Sequence, residues 1–267
     1  MTRRRFYAPP DAFAPDGAGV QLSPEESRHL RDVLRLRAGD EAFVFDGEGR
    51  EFACVVVETG SGGGRGALAR LEVRGRAEPP SPESSLRLSL GVALLKGEKF
   101  DLVVQKATEL GASRIVPIVS RRADVRLRDE RDAGGRVERW RRLALEASKQ
   151  SGRARVPPVE MPAAFGNFVA AGTDADGARL MFAERGGGDA GALVRVGLSE
   201  FAGGVEGSRP TSVMALVGPE GGWEEEEVAL ASERGWTIIT LGGRTLRAET
   251  AAITVAALLQ HLFGDMR

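Results

Sequence analysis

The chain has 267 residues, and 42% of them are apolar. That content supports a full hydrophobic core and excludes a disordered chain. With only one cysteine and two histidines, an internal disulfide and a cysteine-rich or multi-histidine metal site are excluded, so no metal is expected. The apolar run at residues 251–259 is too short to cross a bilayer, and the basic residues 1–5 are not followed by an apolar segment. We expect a cytoplasmic protein without a membrane segment.

Charged residues are unevenly distributed, although the formal net charge is only −1. Residues 96–155 carry 16 Lys and Arg against 9 Asp and Glu, whereas residues 156–267 carry 8 against 15. A basic segment of this kind is typical of proteins that bind polyanions such as RNA. Ordinary solvated charge explains the same counts equally well, so this pattern alone leaves both interpretations open.

The first 78 residues predict a small β-rich unit. Ser23 precedes Pro24 and two glutamates, a pattern typical of a capped helix start. This helix would have a basic face and an apolar face, with Arg28, Arg31 and Arg35 opposite Leu30, Val33 and Leu34. Apolar segments at residues 41–45, 51–57 and 68–73 predict three strands, the first two joined by a turn at Asp46-Gly47.

A proline-rich segment, EPPSPESS at residues 78–85, predicts a linker, because proline stiffens the chain and lacks an N–H donor. We therefore predict a first domain over residues 1–78, a linker over residues 79–85 and a second domain over residues 86–267. In the second domain, strand-like segments alternate with helical patterns, which predicts an α/β fold with a mostly parallel sheet. Pro117, inside the predicted strand at residues 114–119, indicates a sheet edge or a strand end.

Two glycine-bearing loops near the end of the chain follow predicted strands and open predicted helices. The first reads GPEGGW at residues 218–223, and the second reads GGRTLRAET at residues 242–250. In a parallel sheet both loops emerge at the carboxyl ends of the strands, which is the edge where α/β proteins bind ligands. We expect the two loops to form one site.

The chemistry of the first loop disfavours a polyphosphate ligand. The loop lacks the Gly-Lys-Ser/Thr end of a phosphate loop and the spacing of a dinucleotide fingerprint. Glu220 and the four glutamates at residues 224–227 would also repel phosphate, so a neutral or cationic ligand fits better than ATP or NAD. A tight structural turn explains the first loop nearly as well, and a structural ion pair explains Arg247 and Glu249 equally well.

A series of motifs in order resembles the RsmE family of ribosomal RNA uridine N3-methyltransferases, which belongs to the SPOUT (α/β-knot) superfamily. The most specific are the two loops, LVGPEGG at residues 216–222 and LGGRTLRAETA at residues 241–251. The others are RRFY at 4–7, HLRDVLR at 29–35, KGEK at 96–99, QKATELG at 105–111, RW at 139–140 and EASKQSGR at 146–153. The resemblance covers nearly the whole chain.

The resemblance implies an N-terminal PUA-like β-barrel that binds RNA and a C-terminal domain threaded into a deep trefoil knot. It implies S-adenosylmethionine as the methyl donor, bound in the knot, and a homodimer that completes the site. The implied reaction is methylation of N3 of a specific uridine in the decoding region of 16S ribosomal RNA, in the small ribosomal subunit.

The family's pattern also implies individual site residues. The donor pocket would be lined by the two loops and a strand end, through Phe182, Ala183, Glu184, Val217, Gly218, Pro219, Glu220, Gly221, Gly222, Leu241, Gly242, Arg244, Leu246 and Arg247. The uracil N3 proton is about as weakly acidic as a tyrosine phenol, so the reaction needs a general base or a cation that stabilises the uracil anion. The candidate catalytic residues are Arg247 for the uracil oxygens and Glu249 or Glu220 for the proton.

Basic residues in two parts of the chain are the predicted RNA contacts, because phosphate binding by Lys and Arg positions RNA and makes affinity depend on salt. They are Arg4, Arg5, Arg28, Arg31 and Arg35 near the N-terminus, and Lys96, Lys99, Lys106, Arg121, Arg122, Arg142 and Arg153 in the middle.

Two other functions remain open at this point. One is a SPOUT enzyme that acts at a different RNA position, such as a ribose 2′-oxygen. The other is an RNA-binding ribosome-assembly factor without catalysis, against which binding of S-adenosylmethionine would argue. A nucleotide-binding enzyme is disfavoured by the acidic first loop.

Overall fold

The computed structural model describes residues 3–60, 67–172, 177–183, 195–204 and 209–266. The chain divides into two compact units, one made of Met1–Glu83 with Leu145–Val156 and the other of Ser84–Ala144 with Pro157–Arg267. The division at Glu83 falls within the predicted linker, whereas the return of residues 145–156 to the first unit was not predicted. The domain limits drawn from the sequence stay a prediction.

The first unit is built on a mixed five-stranded sheet with the order β1-β3-β4-β5-β2. Strands β1 and β3 are parallel and the other pairs are antiparallel. The strands are β1 (Arg5–Tyr7), β2 (Gly19–Gln21), β3 (Glu41–Phe45), β4 (Glu51–Glu58) and β5 (Arg70–Ala77). Alternate apolar residues of β3 and β4, including Val44, Cys54 and Val56, pack into one core with Phe6 and Leu30.

The predicted first helix is shorter than its sequence pattern suggests. Helix α1 (Pro24–Arg28) begins as expected, because the Ser23 hydroxyl accepts a hydrogen bond from the Glu26 N–H at 3.2 Å. It continues as a π-helical turn, His29–Val33, and ends there. The predicted faces are therefore wrong: Val33 is 67% exposed, and Arg35 lies beyond the turn with a φ of +53°. One wider turn changes the angular spacing of every residue that follows it.

Residues 145–156, which end helix α3 (Glu130–Ser151), are held in the first unit by buried ion pairs and hydrogen bonds. The Arg5 guanidinium binds the fully buried Glu51 carboxylate at 2.8 Å and donates to the carbonyls of Lys149 and Arg153, each at 3.1 Å. Lys149 pairs with Glu26 at 2.7 Å. Burial alone would lower the pKa of Lys149, but hydrogen bonding to Glu26 and the charges of Glu26 and Glu146 raise it.

We expect Glu51→Gln to destabilise the protein strongly, by about 3 kcal/mol, because it leaves the charge of the Arg5 side chain, which is only 8% exposed, without its carboxylate. The measurement is the free energy of unfolding from urea titration. The control is Glu58→Gln, whose carboxylate is largely exposed and lies 3.8 Å from Arg70, where a loss below about 1 kcal/mol is expected. Equal losses in the two variants would contradict the structural role of the Arg5–Glu51 pair.

The second unit is built on a seven-stranded sheet, order β10-β12-β9-β11-β6-β7-β8, in which every described pair is parallel. Its strands are β6 (Arg87–Ala93), β7 (Arg114–Val119), β8 (Ala163–Ala164), β9 (Gly177–Phe182), β10 (Arg195–Gly197), β11 (Ser212–Val217) and β12 (Thr237–Thr240). Besides α3, its helices are α2 (Lys99–Glu109), α4 (Phe165–Ala170), α5 (Leu198–Gly204), α6 (Glu225–Glu233) and α7 (Ala248–Phe263).

Strand β11 lies in the middle of this sheet and is buried along its whole length. Met214 and Leu216 face a cluster formed with helices α4 and α6, and the residues between them point to the opposite face. Helix α7 packs on β6 and β11 and contacts α2. Burial on both faces explains why the strand is a continuous apolar run rather than an alternating one.

The prediction that Pro117 marks a sheet edge or a strand end is wrong, since β7 lies between β6 and β8 and Pro117 sits inside it. The Ile115 N–H and C=O both bond to residues 158–160. In a parallel ladder, residues two positions apart direct their backbone groups towards the same neighbouring strand. Pro117 therefore faces the same side as Ile115. The partner strand β8 is only two residues long and pairs with Ile118 and Val119, so the missing proline N–H leaves no ladder bond unmade.

In the part of the chain that the structure describes, no helix is both long enough and apolar enough to cross a membrane. The same residues contain no group of three His, Cys, Asp or Glu side chains arranged to hold a metal ion.

We expect the single cysteine to resist thiol reagents in the folded protein. Burial raises the pKa of Cys54 from 9.0 to about 12. The fraction of this thiol that is ionised is therefore about 1,000-fold lower, and the thiolate is the form that reacts. Labelling at pH 8 should be slow until the protein is unfolded in urea. As pH rises from 9 towards 12 the unfolded thiol ionises and the buried one does not, so stability should fall over that range. Fast labelling of the native protein would contradict this burial.

Candidate functional site

Three neighbouring strands of the second unit end side by side. Val217 of β11 and Ile239 of β12 are both aligned with Phe182 of β9, which lies between them. Beyond these ends lies a cavity of about 470 Å³, within the range for small-molecule sites. It is lined by Lys99, Phe182, Ala183, Val217, Gly218, Pro219, Glu220, Gly222, Trp223, Thr240, Leu241, Gly242, Gly243, Arg244, Thr245, Leu246, Arg247, Ala248 and Ala251.

Trp223 fixes the first loop against the neighbouring strand. Its indole N–H donates to the Phe182 carbonyl at 3.0 Å, and its ring packs on Phe165 with 5.3 Å between centroids. A Cβ at Gly218 would come within 3.0 Å of this ring, so only glycine lets the loop pass so close. Gly222 has a φ of +69°, the left-handed conformation that closes the turn after Pro219.

The second loop places two arginines at the cavity. Gly242 has a φ of +109°, which side chains rarely adopt, and it turns the chain away from the end of β12. Arg247 is the N-cap residue of α7, which begins three residues earlier than the apolar run predicts. The exposed Arg244 and Arg247 guanidinium groups make no hydrogen bond or ion pair with any described residue. They are cations available to a ligand.

Basic residues accompany the acidic first loop in the cavity. Among the described lining residues Glu220 is the only acidic one, and its carboxylate pairs with the Lys99 ammonium. With Arg244 and Arg247, the formal charge of the described lining is +2. The acidic charge of the first loop is therefore offset in the described lining, and the acidity of the loop alone does not set the charge of the ligand.

The four glutamates that follow the first loop are not among the described residues that line the cavity. Glu224 and Glu227 form a capping box at the start of α6, each carboxylate accepting a backbone N–H of the other residue. Arg121 binds Glu224 at 2.9 Å and Glu226 at 3.5 Å. The capping box satisfies the N–H groups of Glu224 and Glu227, and the carboxylates crowded at this helix start would repel a phosphate. A polyphosphate ligand is therefore still disfavoured.

Glu249 occupies the second position of α7 and is not among the residues that line the cavity. Its side chain is half-buried, and its Oε2 atom is buried with no hydrogen-bond partner among the described residues. A carboxylate in the first turn of a helix is favoured by the helix dipole. Of the two candidate proton acceptors, Glu220 is the one that the structure brings into the cavity.

The structure brings together most of the residues predicted to bind the cofactor. The 12 that line the cavity are Phe182, Ala183, Val217, Gly218, Pro219, Glu220, Gly222, Leu241, Gly242, Arg244, Leu246 and Arg247. Gly221 is not among them, since its α-carbon faces Arg122. Glu184 lies outside the described residues. The sequence reasoning missed the cavity positions of Trp223 and of Lys99, the latter assigned to RNA, because no local pattern signals either.

Several basic residues predicted to bind RNA are occupied by other groups. Within the first unit Arg5 is paired with Glu51, and Arg153 is 3% exposed and bound to Glu83 at 2.6 Å. In the second unit Lys106 pairs with Glu109, Lys96 with Asp124, and Arg121 with two glutamates. Arg122 donates to the Gly221 carbonyl. Burial removes Arg5 and Arg153 from the surface that RNA could contact.

The remaining predicted RNA contacts are more accessible. Arg4, Arg28, Arg35 and Arg142 are exposed, and Arg31 pairs with its neighbour Asp32 at 2.8 Å. Within the first unit Arg31 and Arg35 line an open groove of about 840 Å³ together with Arg37 and Arg70. The groove also contains Glu58, so its described lining has four guanidinium groups and one carboxylate. The helix-face argument did not find Arg37 or Arg70, because they come from a turn and from β5.

An all-parallel sheet with a cavity between glycine-bearing loops at the strand ends defines a small-molecule-binding α/β protein, and comparison with known proteins narrows the class to RNA methyltransferases. A family model described as an RNA methyltransferase domain matches residues 82–260, and one described as an RNA methyltransferase PUA domain matches residues 22–63. The chain belongs to the family of ribosomal RNA small subunit methyltransferase E.

Relatives of that name resemble the chain over most of its length. The protein from Synechocystis sp. is 31% identical over 92% of this chain and 74% of its own length. The protein from Bacillus subtilis is 28% identical over 90% of this chain and 89% of its own. A solved structure from Neisseria gonorrhoeae, bound to S-adenosyl methionine, is 30% identical with a TM-score of 0.79 over 100% of both chains.

A second solved structure, a methyltransferase from Legionella pneumophila in complex with its cofactor SAM, is 28% identical with a TM-score of 0.81. It covers 99% of this chain, and this chain covers 100% of it. These findings confirm the resemblance drawn from the motifs and the predicted fold class, a parallel α/β domain preceded by a PUA-like domain. The trefoil knot stays a prediction.

Proposed function

We propose that this chain is an S-adenosylmethionine-dependent methyltransferase that methylates N3 of a specific uridine in the decoding region of 16S ribosomal RNA. It acts in the cytoplasm as a homodimer, with the small ribosomal subunit or its RNA as the partner. The observation that carries the proposal is the cavity at the ends of β9, β11 and β12. Both loops that match the family's motifs meet there, in one parallel sheet.

The lining of the cavity fits S-adenosylmethionine. Phe182, Val217, Leu241 and Leu246 provide apolar surface for an adenine ring, and the bare backbone at Gly218 and Gly242 provides donors and acceptors for its edge. Arg244, at the open side, is a suitable partner for the amino-acid carboxylate. When bound, this cofactor supplies a methyl group on a positively charged sulfur.

The residues of the chain have two tasks in the reaction. One is to accept the N3 proton, for which the Glu220 carboxylate is placed in the cavity and Glu249 lies just outside its lining. The other is to stabilise the negative charge that then spreads onto the uracil oxygens, for which Arg247 offers a guanidinium that has no partner among the described residues. Donors placed in advance where charge develops are commonly the largest single contribution to catalysis.

The RNA contacts that we propose in the first unit are Arg4, Arg28, Arg31 and Arg35 with the groove residues Arg37 and Arg70, and in the second unit Arg142. Arg5, Arg153 and Lys106 are left out because the carboxylate that holds each is at most 29% exposed, whereas the carboxylates beside Arg31 and Arg70 are more than half exposed. Replacing Arg37 and Arg70 with Gln should weaken RNA binding and reduce its salt dependence by about two ions. An unchanged salt slope in a filter-binding titration would contradict this surface.

The decisive experiment maps modified uridines in 16S ribosomal RNA by mass spectrometry. A strain lacking the chain should lack one N3-methyluridine, and expression of the wild-type chain should restore it. Loss of a ribose methyl group instead would identify an enzyme that acts at another RNA position. An unchanged methylation pattern, combined with no binding of S-adenosylmethionine by calorimetry, would identify a non-catalytic assembly factor. Light scattering of the purified protein tests the homodimer.

A further inference from the structure

The Lys99–Glu220 ion pair is part of the cavity lining, and no sequence motif assigned Lys99 to the cavity. Lys99 is the first residue of α2, which follows β6. Strand β6 is paired in register with β11, so the loops after these two strands emerge next to each other. Lys99 therefore reaches Glu220 from the adjacent loop, and both residues line the cavity.

The environment of Lys99 differs from that of the other lysines in the second unit. Its side chain is 33% exposed and points to Glu220, which is 32% exposed. Lys96 is 61% exposed and pairs with Asp124, and Lys106 is 37% exposed and pairs with Glu109 on its own helix. Lys99 differs from both because its own side chain and its carboxylate partner line the cavity.

We infer that Lys99 binds the target uracil and stabilises its anion together with Arg247, while Glu220 both positions the ammonium and takes the N3 proton. This inference rests on the proposed function. The N3–H bond breaks and its proton passes to Glu220, leaving the electron pair on N3. That charge spreads onto the uracil oxygens, where Lys99 and Arg247 donate hydrogen bonds. The N3 pair then forms the bond to the methyl carbon, and the pair of the broken carbon–sulfur bond stays on sulfur.

The charge balance of the cavity supports this role. The described lining has three cations and one carboxylate. With Arg244 at the amino-acid carboxylate of the donor, protonation of Glu220 would leave Lys99 and Arg247 facing one uracil anion. A site whose only task was to hold a cationic donor would not need these two cations. They suit a reaction in which negative charge develops on the second substrate.

The test is Lys99→Met, which keeps much of the length of the side chain and removes its charge. We expect kcat for methylation of RNA to fall about 100-fold, as on loss of one oxyanion donor, while the Kd for S-adenosylmethionine stays within about twofold. The pH at which kcat is half-maximal should rise by about two units, because uracil must then ionise without this support. Lys99→Arg, which keeps a donor, should restore part of the rate.

A more acidic substrate gives a readout that a structural role would not change. RNA transcribed with 5-fluorouridine has a more acidic N3, so the defect of Lys99→Met should shrink on this RNA. The matched control is Lys106→Met, on the same helix and of similar exposure but outside the cavity, for which kcat within about twofold of wild type is expected.

Two outcomes would overturn the inference. If Lys99→Met raises KM for RNA and lowers its salt slope by about one ion with kcat unchanged, Lys99 is a phosphate contact. If the Kd for S-adenosylmethionine rises as much as kcat falls, Lys99 serves the cofactor. Failure of the wild-type protein to methylate any uridine would refute the proposed function itself. The wild-type control in the same assay separates that result from a failure of the Lys99 inference alone.

Discussion

Arg247→Ala is expected to lower kcat for RNA methylation by about 100- to 1,000-fold, with a much smaller effect on binding of S-adenosylmethionine. Arg247 is exposed at the cavity, caps no backbone group with its side chain, and has no partner among the described residues. Its guanidinium is therefore available to the uracil oxygens, where a fixed donor stabilises the charge that develops in the transition state. Single-turnover methylation, with cofactor affinity from calorimetry, measures the two effects separately.

The control for this variant is Arg234→Ala, an exposed arginine at the end of α6 that is outside the cavity lining. It should leave kcat within about twofold of wild type, since surface charges far from a site have small effects. Equal losses of kcat and cofactor affinity in Arg247→Ala would assign Arg247 to the cofactor and contradict the catalytic role. Because the Arg247 side chain makes no described contact, little loss of stability is expected.

Trp223→Ala is expected to reduce the free energy of unfolding by about 3–5 kcal/mol and also to weaken cofactor binding. The ring is 8% exposed, packs on Phe165, and ties the first loop to the Phe182 carbonyl. Loss of the ring leaves a void and removes the hydrogen bond that joins the first loop to the end of β9. Urea unfolding measures the first effect, and calorimetry at a temperature where the variant is folded measures the second.

Trp236→Ala is a matched control for the second effect. Trp236 is 3% exposed, packs on Phe168, and donates its indole N–H to the Val169 carbonyl at 3.0 Å. It does not line the cavity. The two variants should lose comparable stability, but only Trp223→Ala should lose cofactor affinity. Similar affinities in both folded variants would show that Trp223 is a packing residue alone.

Local sequence patterns predicted much of the fold, because the formation of a strand or of a capped helix start depends mainly on residues that are neighbours in sequence. The continuous apolar run of β11, the strand over residues 114–119 and the capped start at Ser23 appear in the structure as expected. The same reasoning was wrong where a wider helical turn changed the angular spacing, as at Val33 and Arg35. It was also wrong for Pro117, because the length of its partner strand depends on a segment more than 40 residues away.

Some properties of the two glycine loops follow from the sequence, and others follow only from the tertiary structure. The sequence by itself determined that each loop follows a strand and opens a helix, since glycine, capping residues and apolar periodicity are local signals. Only the tertiary structure decided that their strands flank β9, so that both loops face one cavity. It also decided the charge of that cavity, because whether a side chain is free or paired depends on partners distant in sequence. Lys99 neutralises Glu220 from 121 residues away, and Arg121 takes up Glu224 from 103 residues away.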